Sequence, residues 1–277
     1  MVMMGGRDIA WCPGCGDFGI RNALEAALKE LPIPIGQIVF TSGIGQAAKL
    51  PQYLDVNYFN GLHGRALPVA AGIKIARPEL TVIAVSGDGC NYGEGGNHFI
   101  HTIRKNLDLT ILTCDNRVYA LTKGQSAPTT DKGVINSLDP TGSRNTPLNP
   151  LALAIVMGAP FVARGFAGDI AHLKTLLKEA ILFKGTSVID ILQPCVTFNK
   201  INTYQWYKDR VFTLEAPVQE LNKALELAEM WGDRIPIGTI YKNESAEPRE
   251  TGKILFQKSY PEKAIDKLLK MKHMSMR

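Results

Sequence analysis

Five short runs of consecutive apolar and β-branched residues punctuate the first two thirds of the chain, at 38–41, 81–86, 109–114, 161–164 and 187–192. Between them lie helical or glycine-rich stretches. Uninterrupted apolar runs of this length, bounded by turn residues, read as strands buried on both faces. Such strands alternating with helices predict an α/β fold with a doubly wound parallel sheet. Ile20, Leu24, Ala27, Leu28 and Leu31 recur at helical spacing. They predict a helix over 18–31, capped by Asp17 and stopped by Pro32 and Pro34. The stretch 125–149, rich in Ser, Thr, Pro, Asp and Asn, predicts a long functional loop. From about residue 201 the strand pattern gives out, and 216–230 reads as an amphipathic helix. The chain therefore divides into an α/β domain over 1–200 and a C-terminal extension over 201–277.

In open parallel sheets, ligands bind beyond the carboxyl ends of the strands. The residues that follow the runs are Ser42-Gly43-Ile44-Gly45, Gly87-Asp88-Gly89, Asp115-Asn116 and Gln193-Pro194-Cys195. Asp88 offers a carboxylate oxygen and Asn116 a carbonyl oxygen, a hard donor pair suited to Mg2+. The glycines around Asp88 would let backbone amides approach a diphosphate, although Gly-Asp-Gly alone is also a common tight turn. His63 is a candidate donor to a phosphate or a reaction intermediate, with helix capping as the plainer alternative. Lys49 stands where a cation could meet a substrate carboxylate, or where a lysine is simply solvated. His98 and His101 share a helix face without a third ligand at suitable spacing, and read as structural.

Composition narrows the picture. The 277 residues are 45% hydrophobic and 21% charged, within the globular range. The net charge of +5 is spread out, with its densest cluster at Lys267, Lys270, Lys272 and Arg277, which reads as a solvated helix end and not as a nucleic-acid surface. No apolar run reaches the roughly 18 residues that would cross a bilayer, and the N-terminus carries no signal core. A cytoplasmic protein with no membrane or nucleic-acid partner is expected. Five cysteines in such a chain favour ligand chemistry over disulfides. Cys12 and Cys15 form a C-x-x-C that suits an iron–sulfur cluster or zinc, and the spacing alone does not choose. Cys114, at a strand end, reads as a small buried hydrophobe.

Gly87-Asp88-Gly89 followed by Asn116 resembles the thiamine-diphosphate motif, with Asp115 where an Asn usually precedes the second ligand. Trp11-Cys12-Pro13-Gly14-Cys15-Gly16, Gly61-Leu62-His63-Gly64-Arg65-Ala66-Leu67-Pro68, Gly95-Gly96-Asn97-His98, Leu121-Thr122-Lys123-Gly124-Gln125 with Ser126-Ala127-Pro128-Thr129-Thr130, and Gln193-Pro194-Cys195-Val196-Thr197-Phe198-Asn199 extend the likeness. Together, over about residues 8–200, they resemble the β subunits of 2-oxoacid:ferredoxin oxidoreductases. That resemblance implies oxidative decarboxylation of a 2-oxoacid, either 2-oxoglutarate or pyruvate, with electrons passing to ferredoxin and the acyl group to coenzyme A. It implies an α subunit that carries the pyrimidine-binding domain. Asp88, Asn116 and the Val118 carbonyl would hold Mg2+. Gly43, Ile44, Gly45, Gln46, Ala47 and His63 would line thiamine diphosphate, Cys90 would lie beside it, and Ala120 and Leu121 would border the thiazolium.

The family's [4Fe-4S] cluster uses the two C-x-x-C cysteines, a third just after Gly-Ile-Gly and a fourth in the Gln-Pro-Cys segment. Here the fourth is Cys195, whereas Gln46 stands at the third. The sequence leaves open a cluster with an unusual fourth ligand, a three-iron cluster, or none. It also leaves open a non-oxidative thiamine-dependent decarboxylase or synthase subunit, and a non-catalytic assembly subunit. The tail 206–256 and the lack of a separate pyrimidine-binding region incline the reading toward a two-subunit, 2-oxoglutarate-type enzyme.

Overall fold

The computed structural model describes residues 8–136 and 138–249. In chain order its elements are α1 (Gly16–Glu30), β1 (Ile38–Ser42), β2 (Asn57–Asn60), α2 (Ala66–Ala76), β3 (Thr81–Gly87), α3 (Gly96–Lys105), β4 (Leu109–Asp115), the hairpin β5 (Val118–Tyr119) and β6 (Gln125–Ser126), α4 (Pro150–Val156), β7 (Phe161–Phe166), α5 (Ile170–Leu182), β8 (Thr186–Leu192), α6 (Tyr204–Lys208), β9 (Val211–Thr213), α7 (Leu221–Glu229) and β10 (Ile235–Lys242). All five apolar runs are strands. They form the middle of one eight-stranded sheet in the order β2-β1-β3-β4-β8-β7-β10-β9, in which every neighbouring pair is parallel except β7 and β10.

Why these runs are continuously apolar shows in β4, where every residue is buried. Leu112 and Cys114 join the core beneath α1 and α5, while Leu109 and Ile111 join the opposite core with residues of α2, α3, α4 and α7. Each face of the strand meets helices, so neither tolerates a solvated set of side chains. The register also sets the site. Gly87 pairs with Cys114, and Asp115 with Leu192, so the carboxyl ends of β3, β4 and β8 finish along one edge.

Three expectations are corrected. Asp17 does not cap the first helix: α1 begins at Gly16 behind Cys15, and Asp17 is fully buried in the first turn. The cause is tertiary, because Gly16 docks its N–H on the Pro194 carbonyl at 3.1 Å and turns the next residue inward. Strands also do not end near residue 201, since β9 and β10 extend the sheet from its β7 edge. Pro236 and Gly238 interrupt the apolar run of β10, and β9 is too short to show a period. The helix expected over 216–230 is the shorter α7, preceded by Val218 bridging to Tyr241. The edge strand β2, exposed throughout, had no apolar pattern to read. The stretch 125–149 is a loop after β6, ending at Asn149, whose side chain caps α4. The basic cluster 267–277 and the tail beyond Arg249 lie outside the described residues. Among those described, no helix is long and apolar enough to cross a membrane.

Candidate active site at the carboxyl edge of the sheet

Asp88 follows β3 and opens a π-helical turn, Gly89–Glu94, which feeds α3. Such turns recur at functional sites because they re-aim side chains. Asp88 is buried, and its Oδ2 receives the Thr129 hydroxyl at 2.7 Å. The same hydroxyl lies 2.8 Å from Asp115 Oδ1. One hydroxyl has one proton to donate, so with both contacts made a carboxyl group must carry a proton. Burial, then the Asp115 charge, push the Asp88 carboxyl well above its ordinary range, and burial likewise raises Asp115. A divalent cation at this edge would remove the need for that proton.

Asn116 and Val118 sit on the turn after β4. Asn116 Oδ1 accepts from the Val118 N–H at 3.0 Å, and Asp115 Oδ1 accepts from the Arg117 N–H at 3.0 Å. Arg117 between them adopts a left-handed backbone, φ 62°, unfavourable for a residue with a side chain. Its guanidinium is pinned by Asp131 at 2.6 Å and by the Trp231 ring at 4.2 Å. The oxygen donors of Asp88 and Asn116 with the Val118 carbonyl make a hard set that fits Mg2+. Asp88 and Asn116, as expected, end adjacent strands of one edge.

The remaining expected residues spread around this edge. The Gly43 N–H donates to Ser86 Oγ at 2.9 Å, and its carbonyl accepts from Asn60 at 2.6 Å. A Cβ on Gly43 would fall 2.3 Å from the sulfur of buried Cys90, so the loop after β1 approaches β3 only with glycine there. Cys90 Sγ also accepts from the Gly64 N–H at 3.2 Å, fastening the turn that carries His63. His63 Nδ1 lies 3.3 Å from Glu94 Oε2, which also accepts from the Tyr119 hydroxyl at 3.2 Å. Ile44 and Leu121 are exposed, Ala47 is buried, and Gly45 and Ala120 belong to the flanking turns. Lys49 is half-buried in the 3₁₀ turn Ala47–Tyr53. His98 faces Arg65 at 2.9 Å, in keeping with its structural reading.

Gln46 lines a cavity of about 50 Å³ with Cys12, Cys15, Asp17 and Cys195, which Asn116 and Ala120 of the same edge also border. A residue larger than glycine at Gly16 would strike Gln193 at 2.7 Å, so glycine allows the C-x-x-C turn to reach the Gln193-Pro194-Cys195 loop. The sulfurs are prearranged: Cys12 accepts from Thr197 at 3.1 Å, Cys15 from Gln193 at 3.4 Å, and Cys195 from the Phe198 N–H at 3.4 Å. Burial, followed by the Asp17 charge, pushes the Cys15 thiol far up, and burial raises Asp17 to about 7. Both shifts favour the neutral forms of these groups. Cys114 is fully buried, as expected.

Sequence reasoning passed over Thr129 as a carboxylate partner, Glu94, and Asp190. Asp190 was visible as an acidic residue inside an apolar run. It accepts from the Tyr92 hydroxyl at 2.8 Å, and burial with the Asp115 charge raises it to about 8. With Asp115, Arg117, Asp131 and Arg164 it lines a cavity of about 190 Å³.

Residues 35–191 match the family described as thiamine pyrophosphate enzyme, C-terminal TPP binding domain, and 195–253 match the C-terminal region of the pyruvate ferredoxin oxidoreductase beta subunit. The chain is 44% identical over 249 residues to the 2-oxoacid:ferredoxin oxidoreductase subunit beta of a Sulfolobus species, covering 84% of this chain and 82% of that one. The chain belongs to the β-subunit family of 2-oxoacid:ferredoxin oxidoreductases. Subunit beta of 2-oxoacid:ferredoxin oxidoreductase 1 from Aeropyrum pernix is 46% identical, over 84% of this chain and 77% of its own. A solved 2-oxoglutarate:ferredoxin oxidoreductase from Magnetococcus marinus, with 2-oxoglutarate, coenzyme A and succinyl-CoA bound, superposes with a TM-score of 0.86 at 34% identity, over 96% of this chain and 94% of that one. As a β subunit, the chain is one part of an oxidoreductase complex. The thiamine pyrophosphate match, which the resemblance implied, takes in the strands from β1 into β8, and the second match begins at Cys195 and takes in β9 and β10.

Proposed function

We propose that the β subunit, joined to an α subunit that supplies the pyrimidine-binding domain, holds Mg2+ and thiamine diphosphate at the carboxyl edge of its sheet. The complex would convert a 2-oxoacid to its acyl-CoA and pass the electrons to ferredoxin. Bound thiamine diphosphate supplies the carbanion chemistry of decarboxylation. The chain's own residues position it: Asp88, Asn116 and the Val118 carbonyl take the metal, the Gly43–Ala47 loop and His63 line the cofactor, and Ala120 and Leu121 border it. Glu94, 3.3 Å from His63 Nδ1 and the acceptor of the Tyr119 hydroxyl, would help to orient the His63 ring. Lys49 is proposed as the cation for the substrate carboxylate. The observation that carries the reading is the buried Asp88 at the end of β3 beside Asn116 at the end of β4.

Cys12, Cys15 and Cys195 are proposed ligands of an iron–sulfur cluster. They line one cavity, at the positions that the family's cluster cysteines take. The substrate is proposed to be 2-oxoglutarate or pyruvate, the former favoured by the bound ligands of the Magnetococcus relative. Residues 1–200 would carry the cofactor contacts, and within the extension 201–277 the strands β9 and β10 would brace the β7 edge.

The test is co-expression with the α partner under anaerobic conditions. Coenzyme A- and 2-oxoacid-dependent reduction of ferredoxin is expected, and it should vanish in Asp88→Ala together with magnesium-dependent cofactor binding. Normal thiamine diphosphate binding by that variant would sink the site assignment. Iron-free protein that still binds the cofactor would favour a non-oxidative enzyme.

A further inference from the structure

The cysteine cavity is lined by three sulfur donors and by three residues with an unpaired buried oxygen, Gln46, Asp17 and Gln193. Gln46 Oε1 is buried and receives no hydrogen bond, an unfavourable state for a carbonyl. Its main chain is fixed, since the Gln46 carbonyl accepts from Trp11 Nε1 at 3.0 Å and from the Lys49 N–H at 3.2 Å. Trp11 is itself wedged edge-on against Phe18 and Tyr53. Gln46 is therefore held at the wall of the cavity that the three cysteines line.

On the reading that Cys12, Cys15 and Cys195 bind a cluster, we infer that it is site-differentiated: three irons sit on thiolates, and Gln46 Oε1 faces a fourth, exchangeable iron. A neutral, hard amide oxygen is a weak partner for cluster iron, which prefers thiolate. That corner is consequently the one to open. Asp17 Oδ1 and Gln193 Oε1 are also unpartnered. Both side chains are tied to the Cys15 sulfur, which donates to Asp17 Oδ2 at 3.5 Å and accepts from Gln193 Nε2 at 3.4 Å, so they stand beside an iron that already has its thiolate. The exchange balances as a one-electron oxidation: [4Fe-4S]2+ and ferricyanide give [3Fe-4S]+, one free Fe2+ and ferrocyanide. Added Fe2+ with dithionite as electron donor reverses it.

The experiment uses the α-partnered complex, purified anaerobically and labelled with iron-57. Iron is counted, and paramagnetic resonance and Mössbauer spectra are taken before and after one equivalent of ferricyanide. The wild type should fall from four irons to three, develop the signal of an oxidised three-iron cluster, and recover its fourth iron on reconstitution. Gln46→Cys should keep four irons and show no such signal, whereas Gln46→Ala should be isolated with three. A wild type as resistant to ferricyanide as Gln46→Cys overturns the inference while leaving the cluster in place. So does loss of the fourth iron on Asp17→Asn with none on Gln46→Ala. Absence of iron from every preparation overturns the cluster reading itself.

Discussion

The hydroxyl of Thr129 lies 2.7 Å from the carboxylate of Asp88, across 41 residues of sequence. It brings the long loop after β6 onto the end of β3, and its second contact with Asp115 ties both to β4. A hydroxyl here orients the Asp88 carboxyl group while remaining neutral itself.

Thr129→Val keeps the shape and removes the hydroxyl. Magnesium-dependent binding of thiamine diphosphate should weaken by about 5–30-fold, corresponding to ~1–2 kcal/mol, and Thr129→Ser should restore most of it. Calorimetric titration of the αβ complex measures both, and an unchanged dissociation constant in the valine variant would show that the loop does not act through Asp88.

The buried aspartates make a prediction about pH. Asp190, raised from 3.8 to about 8, holds a proton in the folded chain that the unfolded chain releases. Its contribution to stability is full below the unfolded value of 3.8 and is lost as pH rises toward about 8. Asp88 and Asp115 shift in the same direction. The metal-free chain should therefore lose stability between pH 5 and 8, less so in Asp190→Asn, as read from urea midpoints. Binding of magnesium and cofactor should release protons, detectable as a dependence of binding heat on buffer ionisation. Proton uptake would contradict the picture.

Arg164, on β7, is buried and donates to the carbonyls of Ala228 at 2.9 Å and Pro236 at 3.4 Å. Burial lowers its pKa to about 10, still charged at neutral pH. Arg164→Met should cost about 1–3 kcal/mol by taking a donor from the Pro236 carbonyl and one of two donors from that of Ala228, which Asn149 also serves. Urea unfolding tests it, and a loss under 1 kcal/mol would mean that water replaces the guanidinium.

Gly43→Ala should destabilise by about 1–3 kcal/mol, because the new methyl meets the Cys90 sulfur. Cys90→Ala in that background should recover part of the loss. If the double variant is no more stable than the single one, the tight contact lies elsewhere.

What could be read beforehand follows from what each element needs locally. β3, β4 and β8 were legible because burial on both faces demands an unbroken apolar run. Asp88, Asn116 and the C-x-x-C were legible because their chemistry needs particular residue types just past such strands. β2 was not legible, because an exposed edge strand needs no apolar side, and β10 was not, because Pro236 and Gly238 break its run. Asp17 was misread as a cap, since propensity sees only neighbours along the chain, whereas Pro194 set where the helix begins.

By itself, then, the sequence determined the sheet's central strands, the diphosphate motif and the family likeness, all of which depend on residues close together in the chain. Only the tertiary structure decided that Thr129 joins Asp88 to Asp115, that Asp190 and Arg164 share a buried cavity, and that Trp11 fixes the Gln46 carbonyl beside the cysteines. These are contacts between residues far apart in sequence. Packing and burial choose such partners, and they come into force only when the strands align and the loops close over their ends.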